Sequence, residues 1–145
     1  MTSKTLLAAL ILAAAPLAAQ AEGDPAAGEK SFRKCSACHQ VGEGAKNKVG
    51  PVLNGVVGRA AATAPEFKYS KAMAEQGEAG LVWTAETLAE FIENPKKWMP
   101  GTKMAFPGIK KPEDRADLIA YLETLSDGAD TAAEAAPAAA APAEG

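Results

Sequence analysis

The chain has 145 residues, 48% of them hydrophobic, and a formal net charge of −3. That supplies apolar material for one modest core and argues against a nucleic-acid binder, where a net basic domain is expected. With 13 glycines, 10 prolines and only two cysteines, much of it must be loop, and a disulfide scaffold is excluded.

Residues 1–21 read as a cleavable export signal. Lys4 gives a positive start, Leu6 to Leu17 is almost unbroken Leu, Ile and Ala, and Ala19-Gln20-Ala21 fits the small-x-small cleavage rule. The apolar run is shorter than the roughly 20 residues that span a bilayer, and Pro16 interrupts it. Cleavage before Glu22 and a periplasmic destination are therefore expected.

Residues 22–126 form the expected folded domain. Setting aside Lys4 and the four acids of the last segment leaves 14 basic and 14 acidic residues in it, so the domain is neutral. Asp24 can cap a first helix with Pro25 at its first position and Phe32 on its inner face. The segment KCSACHQ, residues 34–40, follows. Residues 40–69 are punctuated by Gly42, Gly44, Gly50, Pro51, Gly55, Gly58 and Pro65, and read as a long loop. A short turn of helix is expected at Ser70 to Gln76. Thr84 can cap a second main helix in which Leu88, Phe91 and Ile92 recur at helical spacing until Asn94-Pro95 ends it. Another short turn is expected at Lys96 to Met99, and the segment PGTKMAFPG, residues 100–108, is irregular. Pro112 opens a third main helix with Glu113 and Asp114 in its first turn and Leu118, Ile119, Tyr121, Leu122 and Leu125 as its apolar stripe. No stretch sustains strand alternation. Residues 127–145, alanine-rich with Pro137 and Pro142, have no large apolar side chain to bury and read as a disordered acidic tail.

So few helices and such long loops leave a hole in the core that a large flat apolar cofactor would fill. Both cysteines and the single histidine lie within Cys35-Ser36-Ala37-Cys38-His39. The spacing C-x-x-C-H is the attachment signature of c-type haem: two thiols one helical turn apart reach the two vinyl-derived positions and the adjacent imidazole meets the iron. A thioredoxin-like dithiol would need a β-α-β pattern, a zinc site would need more ligands, and a plain disulfide would explain neither the histidine nor the missing core. The second iron ligand is open on these grounds to Met73, Met99 or Met104, with Met104 favoured because it sits in the irregular loop.

CSACH at 35–39, GPVLNGVVGR at 50–59, the tryptophan of LVWTAETL at 83, ENPKKWMPGTKMAFPGIKK at 93–111 and DLIAYL at 117–122 together resemble a class I cytochrome c, of the bacterial cytochrome c2 type and close to the mitochondrial group. The resemblance implies an all-α cytochrome c fold, with three main helices, short helices and long loops wrapped around one covalently bound haem c. Cys35 and Cys38 would hold that haem, and His39 and Met104 would be its axial ligands. Pro51 would accept the His39 ring N–H, and Arg59, Tyr69, Trp83 and Thr102 would serve the haem propionates. Gly28 and Phe32 would meet the last helix through Leu118 and Tyr121. Two positions depart from the pattern: Phe91 stands where many relatives have tyrosine, and Met73 where many have asparagine. The implied function is single-electron transfer between membrane complexes, from a cytochrome bc1-type donor to a reaction centre, oxidase or reductase. No enzymatic activity is implied, and the chain should be a monomer that docks transiently. Lys34, Lys96, Lys97, Lys103, Lys110 and Lys111 flank the haem-binding segments and are expected to form the docking ring. The alternative is a haem enzyme or ligand sensor with a labile methionine bond.

Overall fold

A computed structural model of the protein describes residues 23–126. The expected export signal and acidic tail lie outside the described residues. The order is α1 (Pro25–Phe32), α2 (Lys71–Glu78), α3 (Ala85–Glu93), α4 (Pro95–Trp98) and α5 (Pro112–Glu123). Among the described residues there is no strand, only an isolated antiparallel bridge between Ala60 and Val82.

Four of the five helices begin at a side-chain cap, and α5 begins at Pro112 without one. Asp24 Oδ1 accepts the Ala26 N–H at 2.8 Å, and Pro25 occupies the first position, where a missing N–H costs nothing. Thr84 Oγ1 accepts the Thr87 N–H at 3.2 Å while Thr87 Oγ1 accepts the Thr84 N–H at 2.9 Å, a reciprocal cap for α3. Asn94 closes α3 and opens α4, its side chain accepting the Lys97 N–H at 3.3 Å. Ser70, itself buried, caps α2 through the Met73 N–H at 3.2 Å. That helix runs two residues beyond the expected Gln76, through Gly77, and ends before Gly80, whose φ is positive.

The frame is the crossing of α1 over α5. Gly28 is buried there, and a Cβ on it would run into the Asp117 carbonyl and come within 2.7 Å of Tyr121 Cβ. Phe32 stacks obliquely on Tyr121 with ring centroids 5.8 Å apart, and the Asp24 N–H donates to Asp117 Oδ1 at 2.7 Å. Leu118, Ile119 and Leu122 turn inward to a core that also holds Leu88, Phe91 and Ile92 of α3. Each such buried side chain contributes about 1.5–3 kcal/mol. The long loop is tied to this frame through its backbone: the Gly55 N–H donates to the Leu125 carbonyl at 3.1 Å, Gly58 to Trp83 at 2.7 Å and Ala61 to Leu81 at 2.8 Å.

The close approach at Gly28 yields a test. Gly28→Val should destabilise the protein by at least about 1–3 kcal/mol, because the neighbour it meets is backbone and cannot rotate away. Glu29→Ala, at an exposed position on the same helix, should stay within about 0.5 kcal/mol. Denaturant unfolding of the two variants measures both.

Candidate functional site

After α1 the chain continues as tight turns through residues 33–38. The Cys35 N–H donates to the Phe32 carbonyl at 2.7 Å, and the Cys35 carbonyl accepts from Cys38 at 3.0 Å and His39 at 2.9 Å. These bonds bring Cys35, Cys38 and His39 onto one turn. No disulfide joins Cys35, which is buried, to Cys38, which is exposed. Burial pushes the Cys35 thiol up to about 11, outweighing Lys34 beside it, so it is protonated at neutral pH.

His39 is fixed from behind. Its Nδ1 lies 2.8 Å from the Pro51 carbonyl oxygen. A carbonyl only accepts, so Nδ1 carries the proton and Nε2 keeps its lone pair free. Burial lowers the imidazole pKa, partly opposed by the Pro51 bond, which favours the neutral form that can ligate a metal. Gly50 presses on the ring: a Cβ there would collide with His39 Cε1 and lie 2.7 Å from both ring nitrogens. The Gly50 N–H is bonded to the Cys38 carbonyl at 2.9 Å, and the Asn47 side chain accepts the Val52 N–H at 2.9 Å, so Pro51 is held on both sides.

The residues expected to serve propionates are left with hydrogens to give. Arg59 is half-buried and donates to the Asn54 carbonyl at 3.1 Å and the Val52 carbonyl at 3.2 Å; burial lowers its pKa. The Tyr69 hydroxyl accepts the Ala64 N–H at 3.1 Å, and Thr102 Oγ1 accepts the Met104 N–H at 3.3 Å, so each keeps its own O–H to donate. Trp83 is buried against Phe91, with ring centroids 5.1 Å apart.

The three methionines are in different settings. Met99 is only 3% exposed and belongs to the core cluster, its N–H bonded to the Pro95 carbonyl at 2.9 Å. Met73 lies in α2 and packs partly buried against that cluster. Met104 is half-buried on the irregular segment between α4 and α5. Lys34, Lys96, Lys97, Lys103, Lys110 and Lys111 are all exposed, though Lys110 Nζ also donates to the Glu93 carbonyl at 2.6 Å.

Motif reading singles out none of Gly50, Asn54 and Arg115. Gly50 is legible only from its place beside Pro51, since nothing marks a glycine as facing a ring eleven residues back. Asn54 exchanges a pair of 2.8 Å hydrogen bonds with the Gly42 backbone, a contact across the loop without a local pattern. Arg115 reads as one more charge on a helix, yet it bonds the segment that carries Met104.

This donor set fits a covalently held haem. Two thiols share a turn with a neutral imidazole whose Nε2 is free, a glycine makes room for that ring, and the Arg59 guanidinium bonds the loop carbonyls of Val52 and Asn54 next to Pro51. Among the described residues no group of three His, Cys, Asp or Glu side chains converges on a metal-ion site, so the thiols do not find the further ligands that zinc needs.

Comparison with known proteins agrees with this reading of the site. The family model described as cytochrome c matches residues 25–126. The chain is 58% identical over 101 residues to cytochrome c2 of Agrobacterium tumefaciens, covering 70% of this chain and 91% of that protein. It is 56% identical over 104 residues to cytochrome c2 of Afifella marina, covering 71% and 84% respectively. The solved structure of cytochrome c2 from Rhodospirillum centenum superposes with a TM-score of 0.68 at 43% identity, covering 72% of this chain and 99% of that one. The chain therefore belongs to the cytochrome c family: it carries covalently attached haem c and transfers electrons.

Proposed function

We propose that the protein is a soluble periplasmic carrier, exported by residues 1–21, that takes single electrons from a cytochrome bc1-type complex to a reaction centre, oxidase or reductase. The observation that carries this reading is the His39 Nδ1 bond to Pro51, which leaves Nε2 free on the turn that holds both cysteines. Cytochrome c2 relatives support the periplasmic setting, and among the described residues no helix is long and apolar enough to cross a membrane.

In this reading Cys35 and Cys38 hold the haem through thioethers, and His39 Nε2 and the Met104 thioether bind its iron. When bound, the haem would supply a one-electron couple, and His39 with Met104 would raise its potential because soft sulfur favours the ferrous form. Pro51 keeps His39 oriented and more basic, while burial favours its neutral form. Arg59, Tyr69, Trp83 and Thr102 donate to the propionates, which would otherwise be carboxylates away from water. Lys34, Lys96, Lys97, Lys103, Lys110 and Lys111 steer an acidic partner face to the haem edge, and Val49, 77% exposed beside the histidine-facing Gly50, adds an apolar contact there.

Three measurements test this. Met104→Ala in the holoprotein should lower the reduction potential markedly and admit cyanide to the ferric form quickly, whereas Met73→Ala should not; the reverse pattern overturns the ligand assignment. Rapid cyanide binding by the unaltered protein would instead favour the ligand sensor with a labile methionine.

Phe91 is buried between Trp83 and Trp98 and offers no hydrogen to a neighbouring sulfur. Phe91→Tyr should raise the potential, because a hydroxyl dipole pointing its positive end at the ligand disfavours the ferric charge. Voltammetry of the two proteins measures the shift.

For docking, Lys97→Glu and Lys103→Glu should slow electron transfer to an isolated partner complex by roughly tenfold at low ionic strength. The effect should fade once the Debye length falls below about 10 Å, and the potential should be unchanged. Lys71→Glu, which removes only an exposed pair with Glu75 at 3.5 Å, is the control. Equal effects at all three sites count against the ring.

A further inference from the structure

The segment that carries Met104 has little internal support. Between Met99 and Ile109, both buried, the backbone forms no helix. Among the described residues its N–H groups make only two bonds within the segment, Thr102 to the Met99 carbonyl at 3.1 Å and Met104 to Thr102 Oγ1 at 3.3 Å. Such a segment holds a side chain at a fixed point only if its two ends are pinned.

The first end is the turn of α4, through the Met99 N–H on Pro95. The second end is built from three elements. The Ile109 N–H donates to the Ile92 carbonyl of α3 at 2.8 Å, and Lys110 Nζ donates to the Glu93 carbonyl at 2.6 Å. A Cβ at Gly108 would collide with the same Glu93 carbonyl, so the segment lies directly on the end of α3. Arg115, in the first turns of α5, reaches across with one nitrogen: Nη1 donates to the Ile109 carbonyl at 2.8 Å and to the Lys110 carbonyl at 3.0 Å. Its Nη2 lies 3.4 Å from Glu93 Oε2, and its side chain is only 13% exposed. Its Nε is buried with no partner among the described residues.

We infer that Arg115 is a positioning residue for the sulfur ligand: it clamps the trailing end of the Met104 segment to α3 and α5. A surface arginine has no reason to give up solvation at Nε unless its other nitrogens are firmly engaged. Two carbonyls bound by one charged nitrogen, with Glu93 on the other, fix the guanidinium in one orientation. The clamp acts on backbone, so it sets where residues 104–109 run whatever their side chains. Loosening it lets the sulfur leave the iron more often, and external ligands then bind through that opened state. The inference rests on Met104 being the iron ligand.

The test uses the intact holoprotein, with Arg115→Ala and Arg115→Lys compared with Asp117→Ala. The last removes the cap on the Asp24 N–H from the same helix and leaves the clamp alone. Measured are global stability, native-state hydrogen exchange at the Ile109 N–H and the rate of cyanide binding to the ferric form. Loss of one charge-assisted bond should speed cyanide binding at least about tenfold in Arg115→Ala. Exchange at Ile109 should accelerate in parallel, with Arg115→Lys between that variant and the parent. Asp117→Ala, compared at equal global stability, should move neither readout. If Arg115→Ala changes both no more than Asp117→Ala does, the clamp is overturned; if Arg115→Ala fails to fold, Arg115→Lys decides on the same criterion. Met104→Ala separates the two readings. Unchanged cyanide binding there refutes the ligand assignment and with it this inference, whereas a large increase leaves the clamp to be judged on Arg115 alone.

Discussion

The contact on which the site depends is the hydrogen bond from His39 to the Pro51 carbonyl. It fixes the tautomer, leaving Nε2 as the only nitrogen able to bind a metal, and it fixes the ring plane. A single side-chain bond could not hold Pro51 in place by itself. The carbonyl is presented correctly because Gly50 is bonded to Cys38, Val52 to Asn47, and Asn54 to Gly42 across the base of the loop. Those bonds also tie the cysteine turn to the loop opposite it. The 40–69 loop, poor in secondary structure, is thus the second wall of the site and not a mere connection.

Legibility in the sequence divides along the range of the interaction that encodes each feature. The helix starts at Asp24 and Thr84 and the stop at Asn94-Pro95 were readable because capping is settled within three or four residues. The attachment turn was readable because the chemistry requires its five residues to be consecutive. The α1–α5 crossing was not readable from pattern: Gly28 is one of several glycines, and only the resemblance pointed to its contact with the last helix. Arg115 lay beyond pattern, since its partners at Ile109 and Lys110 are backbone atoms, and a backbone atom leaves no signature in the identity of the residue that bears it. The helix of 8 residues at Lys71–Glu78 was read as a shorter turn, since no apolar repeat marks its end before Gly80.

The charge pattern gains meaning from the fold. The domain is neutral, yet Glu75, Glu78, Glu86, Glu90 and Glu93 follow one another on α2 and α3 with no base between them, while lysines crowd the cysteine turn and the methionine segment. Along the sequence the acids and the lysines of the neutral domain are therefore set apart, although Glu93 at the end of α3 meets Arg115 at 3.4 Å beside the methionine segment.

Phe91 and Met73 offer no hydrogen bond to the interior, so this part of the core is held by packing. The aromatic group supplies it: Phe91 lies 5.1 Å from Trp83 and 5.7 Å from Trp98, and the two indoles are 6.1 Å apart. Pairs of this kind contribute about 0.5–1.5 kcal/mol beyond the area they bury. The group is anchored from its outer side, where Trp98 Nε1 donates to Glu90 Oε2 at 3.1 Å. This bond joins α3 to α4 at an exposed position. The segment between α4 and α5 thus has an aromatic group before its leading end, where Trp98 precedes Met99, and the Arg115 bonds to the Ile109 and Lys110 carbonyls at its trailing end.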